Sequence, residues 1–351
     1  MLFGKRQDYR TITTSWAHST KYQLALSREF WLESIFISLT FTTGAVTISG
    51  HTADAFMNLL KTARLSITDA TGNRKVLDVT GPALIEQWRT LVGAIDRTTT
   101  GLIGAVTPAN STQYTITWPI FFRHPVLQDP YGAATMLPLP RLSNDPVLEI
   151  EIGAATDVAS TTTNVFSTKG SIVATINRRD VTVPNFPYIP SELITYEQQW
   201  NSAGGKQYFD LPAIGTVTGI LIQDYKGGTA RTCILGSAGT SDEVGQDWSL
   251  EYLSTVIRRV PPIMLQNEND YTVQLYPATW LNQAGSYYFD FLSDYANVDA
   301  FNVGSCLDLN PLVLSGGKAR LIGSSIVTTA SSYSRFTIHK LFGDLRALKF
   351  V

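Results

Sequence analysis

The stretch RLSITDATGNRKVLDVTGPALIEQWRTLVG, residues 64–93, decides the reading. Leu65 and Ile67 alternate with Ser66 and Thr68, the period of a strand with one buried side. DATGN supplies turn chemistry, with Gly72 and Asn73 able to take positive φ, and KVLDV returns as a second strand. Pro82 fits a first helical turn. Leu84, Ile85, Trp88, Leu91, Val92 and Ile95 then form one helical stripe. A helix here is notable because the flanks read as strands.

FWLESIFISLTF (30–41) puts Trp31, Ile35, Ile37, Leu39 and Phe41 on one face, with Glu33 as the exception. AVTIS (45–49) reads as a short strand. QYTITWPIFF (113–122) aligns Tyr114, Ile116 and Trp118. Residues 123–146 carry five prolines and read as a long connection. VLEIEIG (147–153) points Leu148, Ile150 and Ile152 inward and Glu149 and Glu151 outward, and GSIVATINRR (170–179) is a further strand. VPNFPYIP (183–190), with three prolines in eight residues, reads as a linker.

The order then repeats. VTGILIQDYKGGTARTCILG (217–236) reads as strand, Gly-Gly turn and strand. DWSLEYLSTVIRRV (247–260) carries a helical stripe of Trp248, Tyr252, Leu253, Val256, Ile257 and Val260, with Asp247 as its cap. This pattern matches Ile67 to Ile222, Tyr114 to Tyr287, and PVLEIEIG to GKARLIGSSIV (317–327). The expectation is all-β: two tandem eight-stranded antiparallel jelly rolls, each with a short capping helix. The helix seals an open end of its roll, and its polar side faces out or toward a neighbour. The boundaries expected are an N-terminal arm over 1–27, a first roll over 28–183, a linker over 184–193, a second roll over 194–342 and a tail over 343–351.

The bulk figures agree with a chain that covers its surface with partners. Charged residues make up 16% of 351, below the ~25% of ordinary domains, and the net charge is −2. Cys233 and Cys306 lie in apolar contexts and read as buried thiols. MLFGKRQDYRT lacks the apolar core of a secretion signal, and no run approaches the length of a membrane span. The Thr/Ser-rich arm reads as a segment ordered only against a partner. Its cations Lys5, Arg6 and Arg10 are the candidate contact with packaged genome, an internal membrane or a neighbouring subunit.

Taken with YGAATMLPLPRLSNDPVLEIEIG and the segment 285–327, this order resembles the double jelly-roll major capsid proteins of tectivirus-like and corticovirus-like bacteriophages, in the adenovirus lineage. The resemblance covers residues 28–342 and rests on element order and short patterns, because the lineage has no catalytic motif. It implies homotrimers of pseudo-hexagonal outline in an icosahedral shell. It also implies penton and minor capsid proteins as further partners, and a virion protein made in the host cytoplasm.

Enzyme chemistry finds little support. His18, His51, His124 and His339 lack metal-ligand spacing. Glu149 and Glu151 have the spacing of a hydrolase carboxylate pair but also of the wet side of a strand. Asp242–Glu243 and Glu268–Asp270 read as loop charges, YKGGTAR and LSGGKAR as hairpin turns, and Asn110 as a chance acceptor triplet. Trp16, Trp200 and Trp280 do not fit the strand faces and are assigned to interfaces. No catalytic residue, metal or cofactor is expected. The alternative is a β-sandwich phage adhesin or lectin-like receptor-binding protein, and a β-sandwich hydrolase stands third.

Overall fold

The structure, a computed structural model, describes residues 4–45, 50–69, 72–92, 109–127, 129–160, 165–183, 185–200, 206–228, 230–231, 233–235, 247–262, 264–265, 285–291, 307–308, 317–324 and 331–343. The chain divides into a unit of residues 1–194 with 344–351 and a unit of residues 195–343.

The first unit contains β1 (Gly4–Thr13), β2 (Lys21–Ala25), β3 (Trp31–Thr43), β4 (Leu60–Asp69), β5 (Gly72–Val79), β6 (Gln113–Phe121), β7 (Val147–Ile152) and β8 (Phe166–Asp180). One sheet has the order β1-β8-β3-β6 and the other β2-β7-β4-β5. The second unit contains β9 (Ser191–Gln199, in this unit from Thr195), β10 (Gln207–Asp210), β11 (Thr216–Lys226), β12 (Trp248–Tyr252), β13 (Thr255–Val260), β14 (Ser286–Asp290), β15 (Ala319–Gly323) and β16 (Tyr333–Leu341). Its sheets are β9-β16-β11-β14 and β10-β15-β12-β13. Counted from one to eight within each unit, both have the order 1-8-3-6 against 2-7-4-5. The duplication is therefore one of topology.

Each roll buries its own core. In the first, Ile35, Ile37 and Leu39 of one sheet meet Leu65, Leu148 and Ile150 of the other. In the second, Ile220, Ile222 and Phe336 meet Trp248, Leu250 and Leu321. At ~25 cal/mol per Å² of apolar surface, these two cores are the main source of stability.

The helix α1 (Gly81–Val92) follows β5 as expected and packs against β4, β6 and a 3-10 turn at Ala55–Leu59. Leu84 and Ile85 enter the core. Glu86, Gln87 and Arg89 are buried too, so this polar side of the helix is enclosed rather than turned to solvent. Gly81 permits the close seat: a Cβ there would lie 2.3 Å from the Leu60 carbonyl oxygen and 2.5 Å from that of Met57.

Several expectations are corrected. Residues 4–25 are not an arm ordered by a partner. β1 pairs with β8 from Gly4↔Asp180 to Thr13↔Ile172, and β2 pairs with β7, so the first roll begins at Gly4 rather than at 28. The apolar period is faint there because β1 is an edge strand, and edges carry charge. Within the expected linker of 184–193, the described residues 185–193 are not a free linker. Phe186 and Ile189 are buried, Ile189 N–H donates to the Ala134 carbonyl at 2.8 Å, and Arg141 donates to the Phe186 carbonyl at 2.8 Å.

The second capping helix does not lie at 247–260. Those residues form the β12–β13 hairpin, turning at Leu253 and Ser254, both at positive φ. Trp248 and Leu250 alternate inward, and a period of two overrides the helical stripe. A helical turn does follow β13 at Pro262, Met264 and Leu265, the slot that α1 occupies after β5. The match of Ile67 to Ile222 also fails, since Ile67 lies on the fourth strand of its roll and Ile222 on the third. Tyr114 and Tyr287 do share the sixth strand position. Trp31 lies off the Ile35 face, because β3 has an extra residue against β8 between Leu32 and Ser34, which flips the side-chain parity. The strand at 45–49, the tail from 344, Ile95 and Cys306 lie outside the described residues, apart from Ala45.

Candidate assembly surface

The outer face of the β1-β8-β3-β6 sheet is built from small polar and aromatic side chains. The Gln7 amide donates to Asn177 Oδ1 and the Asn177 amide to Ser34 Oγ, each at 3.0 Å. The hydroxyls of Ser38 and Thr117 lie 3.0 Å apart and those of Thr40 and Thr115 3.2 Å apart. Phe36 meets Phe121 edge to face at 5.9 Å. Such ladders satisfy the polar groups across strands and leave a face with little charge.

Lys5, Arg6 and Arg10, the sequence-selected cations, all lie on β1 at the edge of this sheet. The structure does not gather them into one pocket. Lys5 is exposed, the Arg6 guanidinium sits 4.4 Å over the Phe30 ring, and Arg10 donates to the Ala25 carbonyl at 3.2 Å. Between them Asp8 accepts an ion pair from Arg178 at 3.0 Å. Burial lowers the pKa of the Arg178 guanidinium, and the Asp8 carboxylate counters it.

Sequence reasoning missed the exposed apolar residues. Tyr9 on β1 is 70% exposed, and Val256 and Ile257 on β13 are each 50% exposed. β13, like β1, ends its sheet among the described residues. The signal was present in TVIRRV, where adjacent β-branched residues suit an edge strand that a partner covers.

The residues weighed for enzyme chemistry that are described make contacts within the fold. Glu149 lies 3.4 Å from Lys21 Nζ and 3.5 Å from Arg64, and Glu151 lies 3.1 Å from Lys61 Nζ. They share a sheet face on which each is ion-paired. Among the described residues no three His, Cys, Asp or Glu side chains gather as metal ligands. His18 Nδ1 lies 2.9 Å from the Gly153 carbonyl oxygen, His51 bridges to Ala159 through its backbone, and His124 Nδ1 accepts from Val126 N–H at 3.3 Å. His339 is buried against the Thr218 hydroxyl, and burial pushes its pKa down to about 4. Cys233 is buried, and its thiol pKa is raised to about 11, first by burial. Gly227 and Gly228, both at positive φ, form a hairpin turn. Asp242–Glu243, Glu268–Asp270 and Trp280 lie outside the described residues.

Trp16 and Trp200 are core residues rather than interface residues. Trp16 N–H donates to the Gly170 carbonyl and Trp200 N–H to the Ser332 carbonyl, each at 3.0 Å. Each indole follows the first strand of its roll and packs inward.

No family model and no curated protein sequence matches the chain. Solved structures do. The major capsid protein of Sulfolobus turreted icosahedral virus is 15% identical, with a TM-score of 0.69 over 96% of this chain and 97% of that one. The chain has the double jelly-roll fold. The major capsid protein of bacteriophage PM2 is 11% identical, with a TM-score of 0.60 over 96% of this chain and 98% of that one. The capsid of the virus PBCV-1 contributes a chain 11% identical, with a TM-score of 0.63 over 97% and 94%. At these identities the likeness is one of double jelly-roll architecture. It extends over both rolls, with no large segment of the compared chains left over.

Proposed function

We propose that the chain is a viral major capsid protein, a structural and non-catalytic component of the virion shell. The observation that carries this reading is the likeness in fold to major capsid proteins along almost their full length, in a chain whose two units repeat one strand order, 1-8-3-6 against 2-7-4-5. Two similar rolls per chain suit a homotrimer, since three chains supply six rolls for a pseudo-hexagonal place in an icosahedral shell. The low charge, the largely polar and uncharged outer face and the apolar residues exposed on edge strands supply surfaces that neighbours can cover. On this reading the partners are other copies of the chain, then penton and minor capsid proteins. The position of Lys5, Arg6 and Arg10 on a sheet edge supports a neighbour contact over a genome or membrane contact.

Static light scattering of the purified chain tests this. Three chains of 38.6 kDa predict a particle of about 116 kDa. A monomer at every protein concentration and ionic strength contradicts it.

A further inference from the structure

We propose that Arg231 and residues 233–235 form a strap across the second roll, locked shut by a proton on Asp224. The strap stands on the second roll alone and goes beyond the capsid reading.

The strap combines little backbone pairing with deep burial. It pairs with β11 at two positions, Tyr225↔Arg231 and Lys226↔Ala230. A pairing so short is weak on its own and opens locally at low cost. Yet Cys233, Ile234 and Leu235 are buried in the core of the roll. Arg231 is buried as well. Its Nη1 donates to the Tyr225 hydroxyl at 2.9 Å, and its guanidinium lies 5.0 Å over the Tyr225 ring.

Asp224 ties the strap to both sheets. Its carboxyl is fully buried and accepts the Ser334 hydroxyl of β16 at 2.6 Å. Ser334 Oγ in turn accepts the Trp200 indole N–H at 2.8 Å. The Ile234 backbone N–H of the strap and the Trp248 indole of β12 face the same carboxyl. The charged and titratable groups around it are Arg231 and Cys233 on the strap, Tyr287 on β14, Arg335 on β16, and Tyr225 and Lys226 on β11 itself.

Two forces oppose each other at this carboxyl. Burial disfavours its charge, whereas Ser334, Ile234, Arg231 and Trp248 favour it. Burial is the larger, so the closed strap holds the proton up to about pH 7. Lifting the strap lets water reach Asp224, and its pKa falls back toward 3.8. The closed form therefore binds the proton more tightly, and the proton favours the closed form. Opening is suppressed in acid. It grows by up to about tenfold per pH unit between 3.8 and about 7, then levels off.

Thiol labelling of the full chain tests the strap, with Cys306→Ser so that Cys233 is the single thiol. The rate at each pH is divided by that of the same chain unfolded in denaturant, which removes the titration of the thiol itself. The ratio is expected to rise about tenfold or more between about pH 5 and 7 and then level off. Urea below the unfolding transition should leave it unchanged, the mark of a local opening. Asp224→Asn is expected to flatten the profile. Ser334→Ala removes a donor to the charged form and is expected to carry the plateau to higher pH. A thiol protected at every pH, a profile that Asp224→Asn leaves unchanged, or labelling that accelerates with urea at every pH overturns the strap. Light scattering reads the oligomeric state separately, so each of these outcomes leaves the capsid reading standing.

Discussion

Arg179 grips Glu33 with two hydrogen bonds, Nε to Oε2 at 2.8 Å and Nη2 to Oε1 at 3.0 Å. Glu33 is the residue that breaks the apolar alternation of β3, and it sits at the extra position between Leu32 and Ser34. The ion pair ties down a bulge that lets Leu32 and Ile35 both face inward. Removing one partner of a largely buried bidentate pair costs about 2 kcal/mol. Glu33→Ala is expected to lower the unfolding free energy by that amount. Adding Arg179→Met should recover part of it, and denaturant titration of the four chains of the cycle reads the coupling.

Trp16 and Trp200 hold the same place in the two rolls, and their loss is expected to have parallel effects. Trp16 Nε1–H donates to the Thr40 carbonyl at 2.9 Å, and Trp200 Nε1–H to Ser334 Oγ at 2.8 Å. Trp16→Phe and Trp200→Phe each remove the indole donor from its acceptor, part-buried at Thr40 and buried at Ser334, at about 1–3 kcal/mol. Calorimetry should show losses of similar size, and a cost at only one of the two sites would argue against their equivalence.

Opposed pH responses are built into the second roll. Asp224 is fully buried and accepts from the Ser334 hydroxyl at 2.6 Å, and burial raises its pKa from 3.8 to about 7. A raised carboxyl contributes stability that is complete below pH 3.8 and is lost as pH rises through about 7. His339 is depressed from 6.5 to about 4, so its contribution is present above pH 6.5 and is lost as pH falls through about 4. The two nearly cancel between about pH 4 and 6.5. Asp224→Asn should leave the His339 response exposed, with stability falling on acidification by on the order of 3 kcal/mol across that window. Denaturant midpoints across that range check it, and equal pH slopes in the two chains would contradict it.

Gly81→Ala tests the helix seat. In an open helix this change stabilises by up to ~1 kcal/mol. Here the new Cβ meets two backbone carbonyl oxygens, of Leu60 and Met57, so the expected sign is reversed. The loss should be about 1–3 kcal/mol. A rise in melting temperature would show that α1 is seated more loosely than this.

Most of the first roll was legible because its strands are half-buried and long. β3, β6 and β7 carry their faces in the alternation of Ile35–Phe41, Tyr114–Trp118 and Leu148–Ile152. The edges were not legible. β1 buries little beyond Ile12, so its sequence reads as polar coil. The helix placed at 247–260 failed because Trp248, Tyr252, Leu253, Val256 and Ile257 satisfy a helical period, while Trp248, Leu250 and Val260 face the core and Leu253, Val256 and Ile257 are exposed. A hairpin with one apolar face turned outward mimics a helix in sequence. The candidate surface was hidden for related reasons: the cations of β1 were visible, but Tyr9 is lost in a segment that reads as polar coil, and Val256 and Ile257 look like one buried stripe until their exposure is known.

Electron microscopy of the purified particle, viewed down its symmetry axis, tests the central claim most directly. The account predicts a closed trimer with a hexagonal outline and six similar densities, two from each chain. A monomer, or an elongated fibre-like trimer, would contradict it.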